Sequence, residues 1–575
     1  MDTYDLAGKV VLITGGARGI GFETARLAYE RGASVAIVDL DPDVAAESAA
    51  AIGERATGIG ANVAEAVEIE AAVEAAVGRF GRVDVVIANA GITPRKTTTR
   101  EISTEDWERV VEVNLLGVWR TIRAGIEQVI ENHGHFVLIS SAYATANGLL
   151  NSSYATSKAA VESLGRSLRT ELAPHGASAS VAYFAFVNTG LIGDIFDKPK
   201  IDALRQELVP AYLTEPIEVG QVAGAVLDGI EQRSARIIEP SAWRPPFKWR
   251  GLVGPLSDLR IERNRMVGET VREIETPDEH GYWVNLGPAP LDYDLAGKTV
   301  FVTGGAQGIG FETARQAYGR GASVVLVDLD PEQVGQAAAG LGERALGLAA
   351  DVTDRDSIEG AMQAAVERFG KVDVVVANAG IARIGTIRSM STEDWERVVE
   401  VNLFGVWRTV RAGMEQVVEN RGQFVLVSSS YAFNNGVLNS PYAAAKSGVE
   451  ALGRALRAEL RPLGASATVA YFGFIGTEMV RKGFENPFGD RLREEVVPDL
   501  LTRQVPVSKA GGVIIEALEK RSARAIAPAE WKALFFARGL TAPLMDLQFD
   551  SDPSLKEIIL DAERADRDPE DASTD

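Results

Sequence analysis

Tyr154 and Lys158 stand four residues apart within a helical pattern, and Tyr442 and Lys446 repeat that spacing. Residues at i and i+4 share one helix face, so each pair sets a phenol beside an ammonium, a combination suited to moving a proton. A serine precedes each tyrosine by thirteen residues, Ser141 and Ser429, just beyond an apolar, strand-like run. Its hydroxyl is placed to hold a substrate oxygen near the phenol. Pro441 suits the first turn of a helix, which locates Tyr442 near that helix's start. A core aromatic and a solvated lysine would explain one such pair; they explain less well a full set that recurs in register.

The elements that must carry these residues come from a duplication. Tyr4–Lys9 recurs as Tyr293–Lys298, an offset of 289, and after a one-residue deletion near Pro94 the offset is 288. Ser103–Asn132 then matches Ser391–Asn420 except for the apolar exchanges Leu116/Phe404, Ile122/Val410, Ile126/Met414 and Ile130/Val418. A period this long marks a duplicated domain rather than a solenoid repeat. In the first copy, apolar runs predict strands at Val10–Thr14, Ser34–Val38, Val83–Ala88, Phe136–Ser140 and Ala179–Phe184, separated by helical stretches such as Glu105–Asn132 and Tyr154–Leu172. This alternation predicts an α/β protein: two tandem Rossmann-type domains, each a doubly wound parallel sheet. The tail residues Pro240, Trp243, Arg250, Pro255 and Asp258 recur as Pro528, Trp531, Arg538, Pro543 and Asp546. The expected domains are therefore residues 1–275 and 291–562, with a linker at 276–290 and an acidic, disordered tail at 563–575.

Between the first strand and the first helix of each copy lies a glycine-rich turn: Gly15, Arg18, Gly19, Ile20 and Gly21, matched by Gly304, Gln307, Gly308, Ile309 and Gly310. Glycines there permit a tight turn and let a pyrophosphate approach the free N–H groups of the helix start. The next strand ends in an acid in both copies, Asp39 and Asp328. A carboxylate at that point accepts from ribose hydroxyls and repels a 2′-phosphate, which favours NAD over NADP. Arg18 could meet a 2′-phosphate, but Gln307 replaces it in the second copy, and a solvated loop residue is the plainer reading.

With Asn89-Ala90-Gly91, Asn378-Ala379-Gly380 and the helix asparagines Asn114 and Asn402 added in order, both halves resemble the short-chain dehydrogenase/reductase family. The resemblance implies a tyrosinate that takes an alcohol proton as hydride leaves for the nicotinamide, with the serine bonding the substrate oxygen. It implies a lysine that holds the nicotinamide ribose, an asparagine that supports a water relay to that lysine, and a threonine, Thr189 or Thr477, near the carboxamide. On the adenine side it implies Asp351 with Val352 and, in the first copy, Asn62 with Val63. A phenol with a pKa of about 10 needs the lysine and the nicotinamide cation to bring it down; two to three units correspond to roughly 3 to 4 kcal/mol.

The copies depart from the family after the sixth strand, where Phe184-Ala185-Phe186-Val187-Asn188-Thr189 and Phe472-Gly473-Phe474-Ile475-Gly476-Thr477 lack the usual Pro-Gly. A methyl at Ala185 is expected to crowd the nicotinamide, so the second copy is expected to be the surer catalyst while both bind NAD. Segments after Thr189 and Thr477, with Tyr143 and Tyr431, are expected to cover a medium-sized hydrophobic alcohol or ketone. A 3-hydroxyacyl thioester substrate and a non-catalytic NAD-binding scaffold in one domain remain alternatives. Asn114 and Asn402 could instead simply bond a neighbouring backbone group.

Composition limits the rest. With 46% hydrophobic and 24% charged residues and a mean hydropathy of +0.00, the 575-residue chain reads as globular. A formal charge of -21 repels nucleic acid and anionic membranes, so neither is expected as a partner. Absence of cysteine excludes disulfides and thiolate metal sites, no metal is expected, and all four histidines lie in the first half. Without a basic, apolar leader or a membrane-length apolar run, the expected location is cytoplasmic. The near-identical helices Glu105–Asn132 and Glu393–Asn420 resemble the family's pairing surface and predict an intramolecular pseudo-dimer, with further dimerisation left open.

Overall fold

A computed structural model describes residues 4–189, 199–275 and 292–567; the expected linker at 276–290 lies outside them. Each copy is built on a seven-stranded sheet whose strands all run parallel. The first holds β1 (Val10–Thr14), β2 (Ser34–Asp39), β3 (Ala56–Gly60), β4 (Val85–Ala88), β5 (His135–Ile139), β6 (Ser178–Phe184) and β7 (Arg236–Glu239), in the order β3-β2-β1-β4-β5-β6-β7. The second repeats that order with β8 (Thr299–Thr303), β9 (Ser323–Asp328), β10 (Ala345–Ala349), β11 (Val374–Ala377), β12 (Gln423–Val427), β13 (Ser466–Phe472) and β14 (Arg524–Ala527). The inner strands are buried on both faces, which is why they read as unbroken apolar runs. The edge strands β3 and β7 did not stand out in sequence. Ala56-Thr-Gly-Ile-Gly60 is only half-buried and glycine-rich, and Arg236-Ile-Ile-Glu239 is bounded by charges.

Strand order reverses between β1 and β4, and again between β8 and β11, which opens a crevice at the carboxyl ends of the strands. The glycine turn, the acid of β2 and the serine after β5 all lie at that end.

Two expectations need correction. Glu105–Asn132 is not one regular helix: Thr104–Val111 and Gly117–Glu131 are α-helical, and Glu112–Leu116 between them is a π turn. The wider turn places Asn114 inward, where its amide bonds the backbone of Ile92 in both directions. Nor does disorder begin at residue 563, because the helix Pro553–Arg567 runs through it. Leu555, Ile558, Ile559 and Ala562 bury one face of that helix, and the Glu563 carboxylate sits 3.1 Å from His175 and 2.9 Å from Arg388. Acidic composition masked this apolar spacing; residues 568–575 lie outside the described part.

The copies touch along a buried seam. Helix Ser152–Leu172 lies against Ser440–Leu460, and almost every residue of both is buried. Trp107 stacks on Trp407 at 4.5 Å and Trp119 on Trp395 at 4.3 Å, within one apolar cluster that draws on both copies. The C-terminal helices cross over: Asp258 pairs with Arg454 at 3.0 Å, and Asp546 with Arg166 at 2.9 Å. Burial alone would push the Asp258 carboxyl up, but the guanidiniums of Arg454 and Arg524 and the Asn147 amide hold it below the ordinary carboxylate range.

Candidate active site

The glycine turn is shaped by backbone need. Gly15 and Gly19 have φ of 60° and 54°, and a Cβ at Gly21 would lie 2.3 Å from the Gly15 carbonyl oxygen. Gly304, Gly308 and Gly310 repeat this geometry. Arg18 and Gln307 precede their helices without capping them, and neither first turn carries an acid, so no cap side chain takes up the N–H groups there. Asn89, a cofactor candidate in sequence, uses its amide to brace the glycine turn. Its Nδ2 donates to the carbonyls of Thr14 and Gly15 at 3.0 and 2.9 Å, and Asn378 does the same to Thr303 and Gly304. Both asparagines tie the glycine turn to the neighbouring strand.

Asp39 accepts one backbone N–H on each oxygen, from Ala17 at 3.0 Å and Leu40 at 2.9 Å, and Asp328 accepts equivalently from Ala306 and Leu329. Each oxygen keeps a lone pair for a further donor. Asn62 accepts from the Ala64 N–H, whereas Asp351 accepts from both the N–H and the hydroxyl of Thr353. Val63 and Val352 pack on the helix glycines Gly117 and Gly405, where an added Cβ would come within 2.7 Å of either valine. The methyls of Thr189 and Thr477 lie 3.6 Å from where a Cβ on Gly19 or Gly308 would stand. The residues thus fit a dinucleotide: a donor-rich helix start for a pyrophosphate, and an acid at the ribose position.

The serine–tyrosine–lysine set assembles with matching contacts in both copies. Ser141 lies within hydrogen-bond reach of the Tyr154 phenol, and Ser429 of Tyr442. The serine hydroxyls also donate to Phe184 O at 3.3 Å and Phe472 O at 3.2 Å, which fixes their direction. Lys158 Nζ donates to Ile139 O, and Lys446 Nζ to Val427 O, each at 2.9 Å. Those bonds leave other ammonium protons to donate. A Cβ at Gly91 would be 3.2 Å from Asn114 Oδ1 and 3.5 Å from Lys158 Nζ, so asparagine and lysine converge on the bare edge of that glycine. Gly380, Asn402 and Lys446 repeat the arrangement.

Electrostatics in the chain alone run against the expected activation. Burial pushes the Tyr154 phenol up to about 12, with the Ser141 bond opposing it, and raises Tyr442 for the same reason. Burial also brings Lys158 and Lys446 down to about 8. Burial thus favours the protonated phenol, and a cationic group such as an oxidised nicotinamide would oppose it.

In the first copy these residues surround a cavity of about 950 Å³, and every candidate except Gly21 and Asn114 lines it. Leu150 lines it with φ of 58°, its N–H held at 2.8 Å by Glu459 of the other copy. Leu438 mirrors this with φ of 60° and Glu171 at 2.9 Å. No sequence signal marked these clasps, because they pair residues about 300 positions apart. Ala185, whose methyl is expected to crowd the nicotinamide, lines this cavity and packs against a cluster that includes Tyr183, Trp243 and Phe247. At the matching Gly473 a Cβ would fall 2.4 Å from Trp531 Nε1, so the two positions differ in how a tryptophan seats. Among the described residues no group of three or more His, Asp or Glu is arranged to hold a metal. Nor is any described helix long and apolar enough to cross a membrane.

Fold and site together define a Rossmann-type oxidoreductase architecture present twice in one chain. The short chain dehydrogenase profile matches residues 9–200 and again 298–487. The chain belongs to the short-chain dehydrogenase/reductase family. It is 26% identical over 474 residues to an uncharacterized short-chain type dehydrogenase/reductase, y4vI, of Sinorhizobium fredii, covering 82% of each chain. It is 33% identical to the BbsD subunit of (2S)-[(R)-hydroxy(phenyl)methyl]succinyl-CoA dehydrogenase of Thauera aromatica, over 38% of this chain and 85% of that one. Among solved structures, the N-domain of bacterial malonyl-CoA reductase with NADP shares the fold with a TM-score of 0.63 at 16% identity, covering 92% of this chain and 99% of that one.

Proposed function

We propose that the protein is an NAD-dependent oxidoreductase that interconverts a secondary alcohol and a ketone on a medium-sized, largely hydrophobic skeleton. The observation that carries this reading is the serine–tyrosine–lysine set, assembled twice with matching contacts beside a dinucleotide-shaped crevice. Gly15, Gly19 and the helix start would hold the pyrophosphate in the first copy, and Gly304 and Gly308 in the second. Asp39 and Asp328 would accept from the ribose hydroxyls and disfavour NADP. A nicotinamide held there would supply the hydride chemistry. Ser141 or Ser429 orients the substrate oxygen, and Tyr154 or Tyr442 takes or returns its proton. Lys158 and Lys446 hold the ribose and lower the phenol, with Asn114 and Asn402 supporting the water side of the relay. The stacked tryptophans and exchanged C-terminal helices support an intramolecular pseudo-dimer as the working unit.

A 3-hydroxyacyl thioester is the second reading, favoured by the succinyl-CoA thioester named for the Thauera aromatica relative. A panel of secondary alcohols, ketones and 3-hydroxyacyl-CoA esters, assayed with NAD and NADP, tests both. Turnover of simple alcohols with NAD supports the first reading, turnover of CoA esters alone favours the second, and turnover of nothing in the panel removes both.

A further inference from the structure

One buried cation in the first copy takes no part in the chemistry above. Lys96, 9% exposed, lies in the loop after β4, and its Nζ has no hydrogen-bond partner among the described residues. Its neighbour is the Tyr143 ring, whose centroid is 5.7 Å from Nζ; Tyr143 in turn meets Tyr154 edge-on at 5.9 Å. Lys96 lines the same cavity as Ser141 and Tyr154. The acids in that lining are engaged elsewhere: Asp39 with backbone N–H groups, Glu112 with Arg120, and Asp202 with Arg205. Burial brings the Lys96 ammonium down to about 7, and no acid among the described residues pairs with it. A buried ammonium without a partner is unfavourable, and an arriving anion would offset that cost.

The second copy makes the contrast. At the same place in the repeat it has Ile384, packed against a cluster that includes Val437, Leu492 and Phe549. Where one copy buries a charge, the other is closed by hydrocarbon.

We propose that Lys96 receives a carboxylate on the substrate of the first copy, so that this copy acts on a hydroxy or keto acid and the second on a neutral alcohol or ketone. A single buried ammonium beside the Tyr143 ring suits a compact monoanion such as a carboxylate. The inference rests on the oxidoreductase reading of the first copy.

The test uses the full chain with Tyr442→Phe, which leaves the first copy as the catalyst. Reduction of 4-oxopentanoate, 5-oxohexanoate and 6-oxoheptanoate is compared with reduction of their methyl esters, with and without Lys96→Met. At least one acid is expected to outcompete its ester, and Lys96→Met to raise that acid's KM by roughly 10- to 100-fold while leaving kcat and the ester's KM unchanged. The unchanged ester also reports that the variant folds. An acid-to-ester ratio that Lys96→Met does not move overturns the proposal. Calorimetric titration of the same keto acids into the NAD-loaded Tyr154→Phe/Tyr442→Phe chain separates the two ideas. Binding there that Lys96→Met abolishes supports the receptor even if no ketone is turned over, and binding that survives the substitution refutes it.

Discussion

The two copies agree in their serine–tyrosine–lysine sets and differ in the residues around them. Ser141, Tyr154 and Lys158 have the same partners, within 0.1 Å, as Ser429, Tyr442 and Lys446. Around them, Lys96 faces Ile384, Ala185 faces Gly473, and Asn62 faces Asp351. Chemistry tolerates little displacement of reacting groups, whereas pocket walls can vary one residue at a time. Duplication followed by divergence of the surrounding residues yields one molecule with two such sets, and a glutamate of the other copy clasps Leu150 in the first and Leu438 in the second.

The strongest way to break the comparison is to remove one phenol at a time. Tyr154→Phe and Tyr442→Phe together are expected to lower turnover by roughly 10²- to 10⁴-fold on every substrate. Singly, each should abolish activity on one part of a substrate panel and spare the rest, as steady-state rates would show. Equal losses from both across the whole panel would mean that the copies do not divide their substrates, and would refute the ranking of the second copy as the better catalyst.

Symmetry of the seam is tested next. Asp258→Ala removes the carboxylate that pairs with Arg454 and Arg524, and Asp546→Ala removes the one that pairs with Arg166 and Arg236. Each is expected to cost about 3 to 5 kcal/mol in denaturant unfolding. A loss confined to one of them would show that the crossing helices are not equivalent.

Cofactor choice should respond more mildly. Asp39→Ala and Asp328→Ala are expected to weaken NAD binding at their own copy by roughly 10- to 100-fold and to narrow its preference over NADP, measured by titration of each variant. If neither variant alters the NAD/NADP ratio, the acids at the strand ends do not set specificity.

The smallest effect concerns pH. Burial raises the Glu171 carboxyl to about 8 and Glu459 to about 7, above a free glutamate near 4.3. The folded chain then holds protons that the unfolded chain has released. Their contribution to stability is full below about pH 4 and is lost as pH rises through 7 to 8. Thermal midpoints are expected to fall across that window, and Glu171→Gln with Glu459→Gln to flatten the fall while lowering the midpoint at pH 5. An unaltered slope in the double variant would show that other groups carry it.

Much of the fold and the site is legible in the sequence, for a physical reason. Backbone requirements are local: a glycine at positive φ, a strand buried on both faces and an i, i+4 pair on one helix face all write themselves into short stretches. So the parallel sheets, the glycine turn, Asp39 and Asp328, and the tyrosine–lysine pairs can be placed from residue order and spacing. The π turn around Asn114 escapes such reading, since its sequence is as helical as its neighbours'. Edge strands β3 and β10 escape it because half-buried strands need no strong apolar run.

What the tertiary structure alone decided depends on distance along the chain. That Asn89 holds the glycine turn, that Ala185 faces a tryptophan cluster and that Glu459 fastens Leu150 follow from packing between remote segments, which no local pattern encodes. The same holds for Lys96: its residue type and its mismatch with Ile384 are visible in the repeat, but only the folded chain shows the ammonium buried, without a hydrogen-bond partner among the described residues, and next to the Tyr143 ring that meets Tyr154. Local stereochemistry specified the machinery of this protein, and long-range desolvation determined what each copy of it faces.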